Sequence, residues 1–174
     1  PSGLYGSLLR EERQVAVVAG EGECRTLFVH AGLTPTALQR SGSLEQLNAH
    51  VKQEVAAANP GRGSHLLGEP GPLWHRGLVQ GRQSQACPLM KQTLEAVGAV
   101  QMVVGHTVQD HGIKTRCSGM LHMIDVGISR AYNGEPAAWE CVQGSDGPRA
   151  LYEGREPINL VKEVPRTHKE LRMS

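Results

Sequence analysis

Short apolar runs of strand length alternate along this chain with amphipathic segments of helical spacing, and this alternation constrains the fold most. Val15 to Ala19 and Thr26 to Val29 flank a Gly-Glu-Gly-Glu turn and predict a β-hairpin. Further apolar runs predict three more strands, at Ala99 to Val104, Met120 to Ile124 and Ala137 to Val142. Strands that alternate with helices are typical of the α/β class, so we expect an α/β fold.

Two helices and a long loop are expected between these strands. Ser43 and Gln46 have the spacing of a capping box, and an apolar face at helical spacing follows them. Pro88 is expected to open the second helix, which Gly98 ends. Residues 59–72 are rich in glycine and proline and predict a long loop, and long loops in compact domains are often functional.

Composition restricts the class of protein. A length of 174 residues, with 39% hydrophobic and 20% charged residues, fits one globular domain. The formal net charge is +1 and no basic cluster is interleaved with aromatic residues, so nucleic-acid binding is not expected. No apolar run approaches the roughly 20 residues that cross a bilayer, so we expect no membrane association and a soluble, intracellular protein. The sequence contains neither a Walker loop nor a G-x-G-x-x-G fingerprint, so nucleotide binding is not expected.

The cysteines and the chain ends lead to three further expectations. The four cysteines lie far apart without a C-x-x-C pair, so we expect reduced thiols; they are Cys24, Cys87, Cys117 and Cys141. Residues 153–174 are charged and contain proline, and we expect them to form a partly ordered tail behind a domain of residues 1–152. Because the chain opens at Pro1 rather than at Met, we expect it to be part of something longer.

Two histidines come directly after strongly apolar predicted strands. His30 follows the run that ends at Val29, and His106 follows Val104 and Gly105. In α/β sheets ligands collect beyond the carboxyl ends of strands, and a neutral imidazole binds borderline divalent metals well. Each histidine could instead cap its strand end through a backbone hydrogen bond. The residues alone leave both roles open, although the pair together favours a metal site.

Arg76 and Asp125 are the other candidates for chemistry. Arg76 lies in a Trp-containing segment, residues 71–77, with glycine at both ends, and a guanidinium presents a rigid fork of donors that matches two phosphate oxygens. The alternative is a surface arginine stacked on Trp74. Asp125 ends an apolar strand and could bind a metal, but we interpret it as the anchor of a turn that accepts backbone hydrogens.

The remaining histidines receive no functional role. His75 neighbours Arg76 and could line the same cleft, whereas His122 alternates within a predicted strand and has no obvious partner. We expect the others to be ordinary surface residues: His50, His65, His111 and His168.

Several segments, in this order and at these intervals, resemble the calcineurin-like metallophosphoesterases, most closely the bacterial-type (Shewanella-like) phosphoprotein phosphatases. They are residues 6–10, the His-Ala-Gly-Leu segment 30–33, the Gly-Pro-Leu-Trp-His-Arg-Gly segment 71–77, and residues 103–107 and 124–130. The resemblance implies that residues 1–152 form the C-terminal half of a metallophosphoesterase domain. The implied fold is part of the family's two-sheet sandwich flanked by helices.

The resemblance also implies a site and a reaction. His30 and His106 would be ligands of the second of two divalent ions (Mn, Fe or Zn), and Arg76 would hold phosphate oxygens. In the family the two ions share a bridging water, lower its pKa and set the resulting hydroxide in line with the phosphorus. The implied function is metal-dependent hydrolysis of phosphomonoesters. The expected substrates are proteins phosphorylated on serine, threonine or tyrosine, or small phosphomonoesters.

The sequence lacks the family's N-terminal motifs Gly-Asp-x-His-Gly, Gly-Asp-x-x-Asp-Arg-Gly and Gly-Asn-His-Glu. These motifs supply the first metal site, the bridging Asp and the Asn of the second site, and the His that protonates the leaving group. We therefore expect the isolated chain to be nearly inactive, since catalytic sites usually have at least three protein ligands. The alternative is a non-catalytic remnant that acts as a binding or scaffold protein. Half a domain also leaves apolar strand surface uncovered, so we expect poor solubility or self-association of the isolated chain.

Overall fold

The computed structural model describes residues 3–11, 14–57 and 64–160, and it has the α/β architecture that the alternation predicted. One sheet has five strands in the order β1-β2-β3-β5-β4, with β2, β3 and β5 parallel and β1 and β4 antiparallel to their neighbours. The strands are β1 (Ala16–Ala19), β2 (Thr26–Val29), β3 (Gln101–Val104), β4 (Lys114–Arg116) and β5 (Leu121–Met123). A second, antiparallel sheet contains β6 (Ala137–Glu140), β7 (Arg149–Tyr152) and β8 (Ile158–Asn159).

Four of the five α-helices in the described residues contribute to a core on one face of the five-stranded sheet, and the first helix contacts the third. The five are α1 (Leu4–Glu11), α2 (Pro35–Ser41), α3 (Leu44–Ala56), α4 (Gly77–Gln80) and α5 (Gln83–Val97). The main core lies between the last four and the sheet and is almost entirely aliphatic, with Leu27, Leu47, Met90 and Met102 fully buried. This agrees with a composition in which aromatic residues make up only 3%.

The predicted hairpin and the first predicted helix are both present. β1 and β2 pair antiparallel, with Ala16 opposite Val29. Ser43 Oγ accepts a hydrogen bond from the Gln46 amide at 3.2 Å and so begins α3 as an N-cap. Asn48 then joins α3 to the edge strand β1, because its Oδ1 accepts from the Ala16 amide at 3.2 Å and its Nδ2 donates to the Ala16 carbonyl at 2.8 Å.

The prediction that Pro88 opens the second helix is wrong, because α5 begins five residues earlier and Pro88 lies inside it. The amides of Gln85 and Ala86 already donate to the Arg82 carbonyl at 3.0 and 2.9 Å. A proline inside a helix removes its own hydrogen bond and crowds the carbonyl four residues earlier, and the packing of the buried face of α5 offsets this cost. Gly98 does end the helix, with a left-handed backbone (φ 68°).

Several short elements were not predicted: α1, α2, α4, β4, β7 and β8. In the predicted long loop, residues 64–76 form turns and bends without helix or strand, and residues 58–63 lie outside the described part of the chain. β8 falls within the segment that we predicted to be a tail, and residues 161–174 of that segment also lie outside the described residues.

The expectation of reduced thiols is wrong, because the four cysteines form two disulfides. Cys24 pairs with Cys141, with 5.6 Å between their Cα atoms, and Cys87 pairs with Cys117, with 5.3 Å between theirs. The partners are 117 and 30 positions apart, so only the tertiary fold brings them together. Disulfides are typical of oxidising compartments and are rare in the cytosol, so the two disulfides do not favour the predicted intracellular location. Within the described residues no helix has the length and apolar character that crossing a bilayer needs.

The two sheets face each other through Trp139 on β6. Its ring meets the Phe28 ring edge-on, with 5.7 Å between centroids, and lies 5.5 Å from the His122 ring. His122 is fully buried, and the expectation that it has no obvious partner is wrong: its Nε2 lies 3.0 Å from Gln101 Oε1. The side-chain Nε2 of Gln101 donates in turn to Thr26 Oγ1 at 3.0 Å. These three hydrogen-bonded polar side chains therefore form a row across β5, β3 and β2, between the two sheets.

Candidate active site

The carboxyl ends of β2, β3 and β5 carry the candidate residues to one edge of the sheet. His30 follows β2 directly, His106 lies two residues beyond β3, and Asp125 lies two residues beyond β5. Because these strands are parallel neighbours, their carboxyl ends lie side by side. The sheet topology therefore places the three side chains at the same edge.

The rings of His30 and His106 are in direct contact. His30 Nε2 lies 3.1 Å from His106 Nδ1, and the ring centroids are 4.9 Å apart. In this arrangement one ring donates a hydrogen bond to the other, with the donor set by the tautomers. Two nitrogen ligands about 2.1 Å from one ion lie roughly 3.0 to 3.4 Å apart at right-angled or tetrahedral coordination. The separation of the two imidazoles therefore also fits a shared divalent ion.

The local backbone turns His106 toward His30. The Gly105 amide donates to the His30 carbonyl at 2.8 Å, and the Thr107 amide donates to the Gly105 carbonyl at 2.7 Å. His106 itself has a left-handed backbone (φ 66°), which is uncommon for a residue other than glycine and clusters at functional sites. Its Nε2 is buried and has no hydrogen-bond partner among the described residues, a cost of about 1–3 kcal/mol unless a further group binds there.

The segment that contains Arg76 is fastened to the His30 turn. The Pro72 carbonyl accepts hydrogen bonds from the Ala31 amide at 2.9 Å and the Gly32 amide at 3.4 Å. The Trp74 ring meets the His106 ring edge-on, with 5.3 Å between centroids, and Trp74 remains 47% exposed. Trp74 thus lies against the His106 ring, a contact that we did not predict.

Arg76 lies close enough to His106 to act on its charge. Burial, followed by the electrostatic effects of Arg76 and of His30, lowers the pKa of His106, and the negative charge of Asp125 partly opposes this. His106 is therefore neutral at pH 7, with a lone pair free for a metal or a donor. The Arg76 side chain is exposed and its residue is the N-cap of α4.

Asp125 and His75 support the site from the sides. Asp125 Oδ1 accepts a hydrogen bond from the Gly127 amide at 3.1 Å, which confirms that it anchors a turn. The His75 ring lies beside Gly32 and Gly77, where an added Cβ would come within 3.6 and 2.8 Å of its atoms. Burial lowers the pKa of His75, which favours its neutral form. His75 therefore packs against Gly32 and Gly77 rather than serving as a ligand of the candidate site.

The other histidines lie where we expected them, as far as the structure describes them. His50, His65 and His111 are exposed, and His168 lies outside the described residues. In the described part of the chain, no group of three or more His, Cys, Asp or Glu side chains could hold a metal ion. The site thus offers two imidazole ligands, fewer than the three protein ligands usual for catalytic zinc.

Comparison with known proteins identifies relatives of this fold. No family model matches the chain. It is similar to an uncharacterized protein of Schizosaccharomyces pombe, with 30% identity over 158 residues, 88% of this chain and 47% of that protein. It is also homologous to Shewanella-like protein phosphatase 2 of Arabidopsis thaliana, with 27% identity over 134 residues, 75% of this chain and 33% of that protein.

Solved structures show the same fold. The crystal structure of the cold-active protein-tyrosine phosphatase of a psychrophilic Shewanella species matches with a TM-score of 0.62 and 20% identity over 88% of this chain and 45% of that one. A further structure of a cold-active protein tyrosine phosphatase matches with a TM-score of 0.64 and 19% identity over 92% of this chain and 46% of that one. The chain thus spans between a third and a half of the proteins it matches, and it has the fold of part of a phosphatase.

Proposed function

We propose that this chain supplies part of the active site of a metal-dependent phosphomonoester hydrolase that acts on phosphorylated proteins. The observation that carries the proposal is the 3.1 Å contact between His30 Nε2 and His106 Nδ1 at the carboxyl ends of the parallel strands β2 and β3, with Arg76 close enough to affect the pKa of His106. The phosphatase names of the homologue and of the structural matches support the same class of reaction. The substrate and the metal dependence are part of the proposal.

Each residue has a defined task in this proposal. His30 and His106 donate imidazole lone pairs to one divalent ion, Mn, Fe or Zn, and the Trp74 ring holds the His106 ring in place. Arg76 binds two phosphate oxygens through its guanidinium fork and offsets their negative charge. Bound divalent ions supply Lewis acidity toward the phosphoryl oxygens and lower the pKa of water. The remaining ligands come from a polypeptide segment beyond this chain.

Metal titration of the chain tests the ligand pair. Isothermal titration calorimetry with Zn²⁺ or Mn²⁺ should detect one site, and His30→Ala or His106→Ala should weaken it by on the order of 100-fold. His111→Ala is the matched control, because it removes an exposed histidine outside the pair. Unchanged affinity in His106→Ala would refute the shared ion.

Hydrolysis tests the reaction class. The protein expressed from its whole gene should hydrolyse p-nitrophenyl phosphate in the presence of Mn²⁺, and His106→Ala should abolish this activity. Arg76→Ala should raise KM, lower kcat, or both, because it removes phosphate contacts while leaving both imidazoles in place. Full activity in His106→Ala would contradict the proposal.

The alternative proposal is a non-catalytic binding or scaffold protein. The observation that favours it is that the described residues bring together only two metal-ligating side chains. The gene decides between the two. A stop codon just before Pro1 supports the scaffold, whereas an upstream Gly-Asp-x-His-Gly segment excludes it.

A further inference from the structure

Arg116, at the end of β4, donates hydrogen bonds to the C-terminal end of α4. Its Nη1 donates to the Leu78 carbonyl at 2.8 Å and to the Val79 carbonyl, and its Nη2 donates to the Gly81 carbonyl at 2.6 Å. Carbonyls in the last turn of a helix have no partners within the helix. Arg116 therefore caps α4 from a strand that lies more than 30 positions further along the chain, and its positive charge suits that end of the helix.

α4 in turn fixes the backbone of Arg76. The Arg76 carbonyl accepts hydrogen bonds from the amides of Val79 at 3.0 Å and Gln80 at 2.8 Å, and the Gly81 amide donates to the Gly77 carbonyl at 2.9 Å. A helix of four residues is a single turn, and one turn is not stable by itself in water. The hydrogen bonds from Arg116 therefore help to decide whether this turn keeps its shape.

The Cys87–Cys117 disulfide attaches the end of β4, where Arg116 lies, to α5. Cys117 follows Arg116 directly and is 4% exposed, and Cys87 lies on α5. Arg116 and Cys117 thus fasten the end of β4 to two consecutive helices, α4 and α5. A guanidinium that donates to three fixed carbonyls next to a covalent link has little freedom to move.

We propose that Arg116 is a positioning residue for the candidate site: by capping α4 it holds the Arg76 backbone, and so sets where the Arg76 side chain lies relative to His106. This inference rests on the proposed phosphate-binding role of Arg76. Both Nη atoms of Arg116 are occupied by backbone carbonyls, so Arg116 acts through α4 and not on phosphate.

Substitution of Arg116 tests this role in the chain itself. Arg116→Ala removes all three hydrogen bonds. Arg116→Lys keeps the positive charge but replaces the forked guanidinium by a single ammonium group. Arg25→Ala is the matched control, because Arg25 Nε donates to the Gly98 carbonyl at 2.8 Å, at the C-terminal end of α5. It removes the same kind of bond from a different helix.

Two NMR measurements are made on these variants and on the wild type. The first is hydrogen exchange at the Gln80 amide of α4 and at the amide of its C-cap residue Gly81, which Arg116→Ala should accelerate on the order of 10-fold. The second is the affinity for inorganic phosphate in the presence of Zn²⁺, measured by ³¹P NMR so that Arg76→Ala can be compared with the other variants; Arg116→Ala should lower this affinity on the order of 10-fold. The Zn²⁺ affinity should not change, whereas general destabilisation would lower both affinities. Arg116→Lys should be intermediate, and Arg25→Ala should match the wild type.

The outcomes separate this inference from the proposed function. If Arg76→Ala weakens phosphate binding but Arg116→Ala does not, or if α4 exchange is unchanged in Arg116→Ala, the positioning role is overturned. If Arg76→Ala leaves phosphate binding unchanged, the phosphate role of Arg76 fails. In that case, faster α4 exchange together with a displaced Arg76 Nε–H resonance in Arg116→Ala still supports positioning, and an unmoved resonance overturns it.

Discussion

Lowering the pH should destabilise this fold through His122. The side chain lies between the two sheets with no exposed surface, and its Nε2 contacts Gln101 Oε1 at 3.0 Å. Burial lowers the pKa of His122 to about 4, against a smaller opposing effect of the Gly119 backbone. The native state therefore holds the neutral imidazole over the whole range in which an exposed histidine gains a proton.

The size of the effect follows from the difference in pKa between the folded and unfolded states. An exposed histidine has a pKa of about 6.5, so between about pH 6.5 and 4 the unfolded chain binds a proton that the native chain does not. Stability therefore falls as the pH falls through this window, and His122 contributes no pH dependence above it. One pKa unit corresponds to about 1.36 kcal/mol, which gives a full loss of roughly 3.4 kcal/mol, of which about 2.5 kcal/mol is reached at pH 4.5.

Urea denaturation of wild type and His122→Gln at pH 7.5 and 4.5, with the disulfides intact, measures this loss. Glutamine keeps a hydrogen-bonding group beside Gln101 but does not titrate, so the wild type should lose about 2.5 kcal/mol more than the variant over this interval. Burial also lowers the pKa of His75 and His106, but both are present in the two proteins, so their contributions cancel. His50→Gln, which removes an exposed histidine, should follow the wild type. Equal losses in wild type and His122→Gln would refute the reasoning.

Three further predictions concern stability and association. Replacing Cys24 and Cys141 by serine opens a link across 117 positions and should cost about 5 kcal/mol of unfolding free energy, and an unchanged melting temperature in calorimetry would contradict this. Asn48→Ala leaves buried backbone groups of β1 without partners and should cost about 2–4 kcal/mol in urea denaturation; a cost below about 1 kcal/mol would show that they find other partners. Val17, 40% exposed, lines an apolar groove together with Phe28 and Val103, so Val17→Lys should reduce the expected self-association, measured by sedimentation velocity. Val142→Lys, at 47% exposure outside the groove, should not, and equal association of both variants would rule out the groove.

Local patterns in the sequence predicted the elements that local chemistry controls. The Ser43 cap, the Gly98 stop and the β1–β2 hairpin each depend on a few neighbouring residues, and each is present in the structure. Pro88 was misleading because a proline is tolerated inside a helix when the packing of the rest of that helix offsets one lost hydrogen bond. α4 could not be predicted, since its single turn depends on Arg116 from a distant strand.

The sequence predicted which residues form the candidate site but not how their side chains contact one another. The apolar runs before His30 and His106 placed both at strand ends, but only the parallel pairing of β2 with β3 brings their rings into contact. The contact of Trp74 with His106 has no signal in the sequence, because it depends on the hydrogen bonds of the Pro72 carbonyl to the His30 turn. The same holds for the disulfides, whose partners meet only in the folded chain.

Anomalous diffraction from crystals of the chain grown with Zn²⁺ or Mn²⁺ tests the central claim most directly. The account predicts one strong peak within about 2.0–2.3 Å of both His30 Nε2 and His106 Nδ1. Peaks at separate positions, each bound by only one of these rings, or metal at other histidines while the two rings remain hydrogen-bonded to each other, would contradict it.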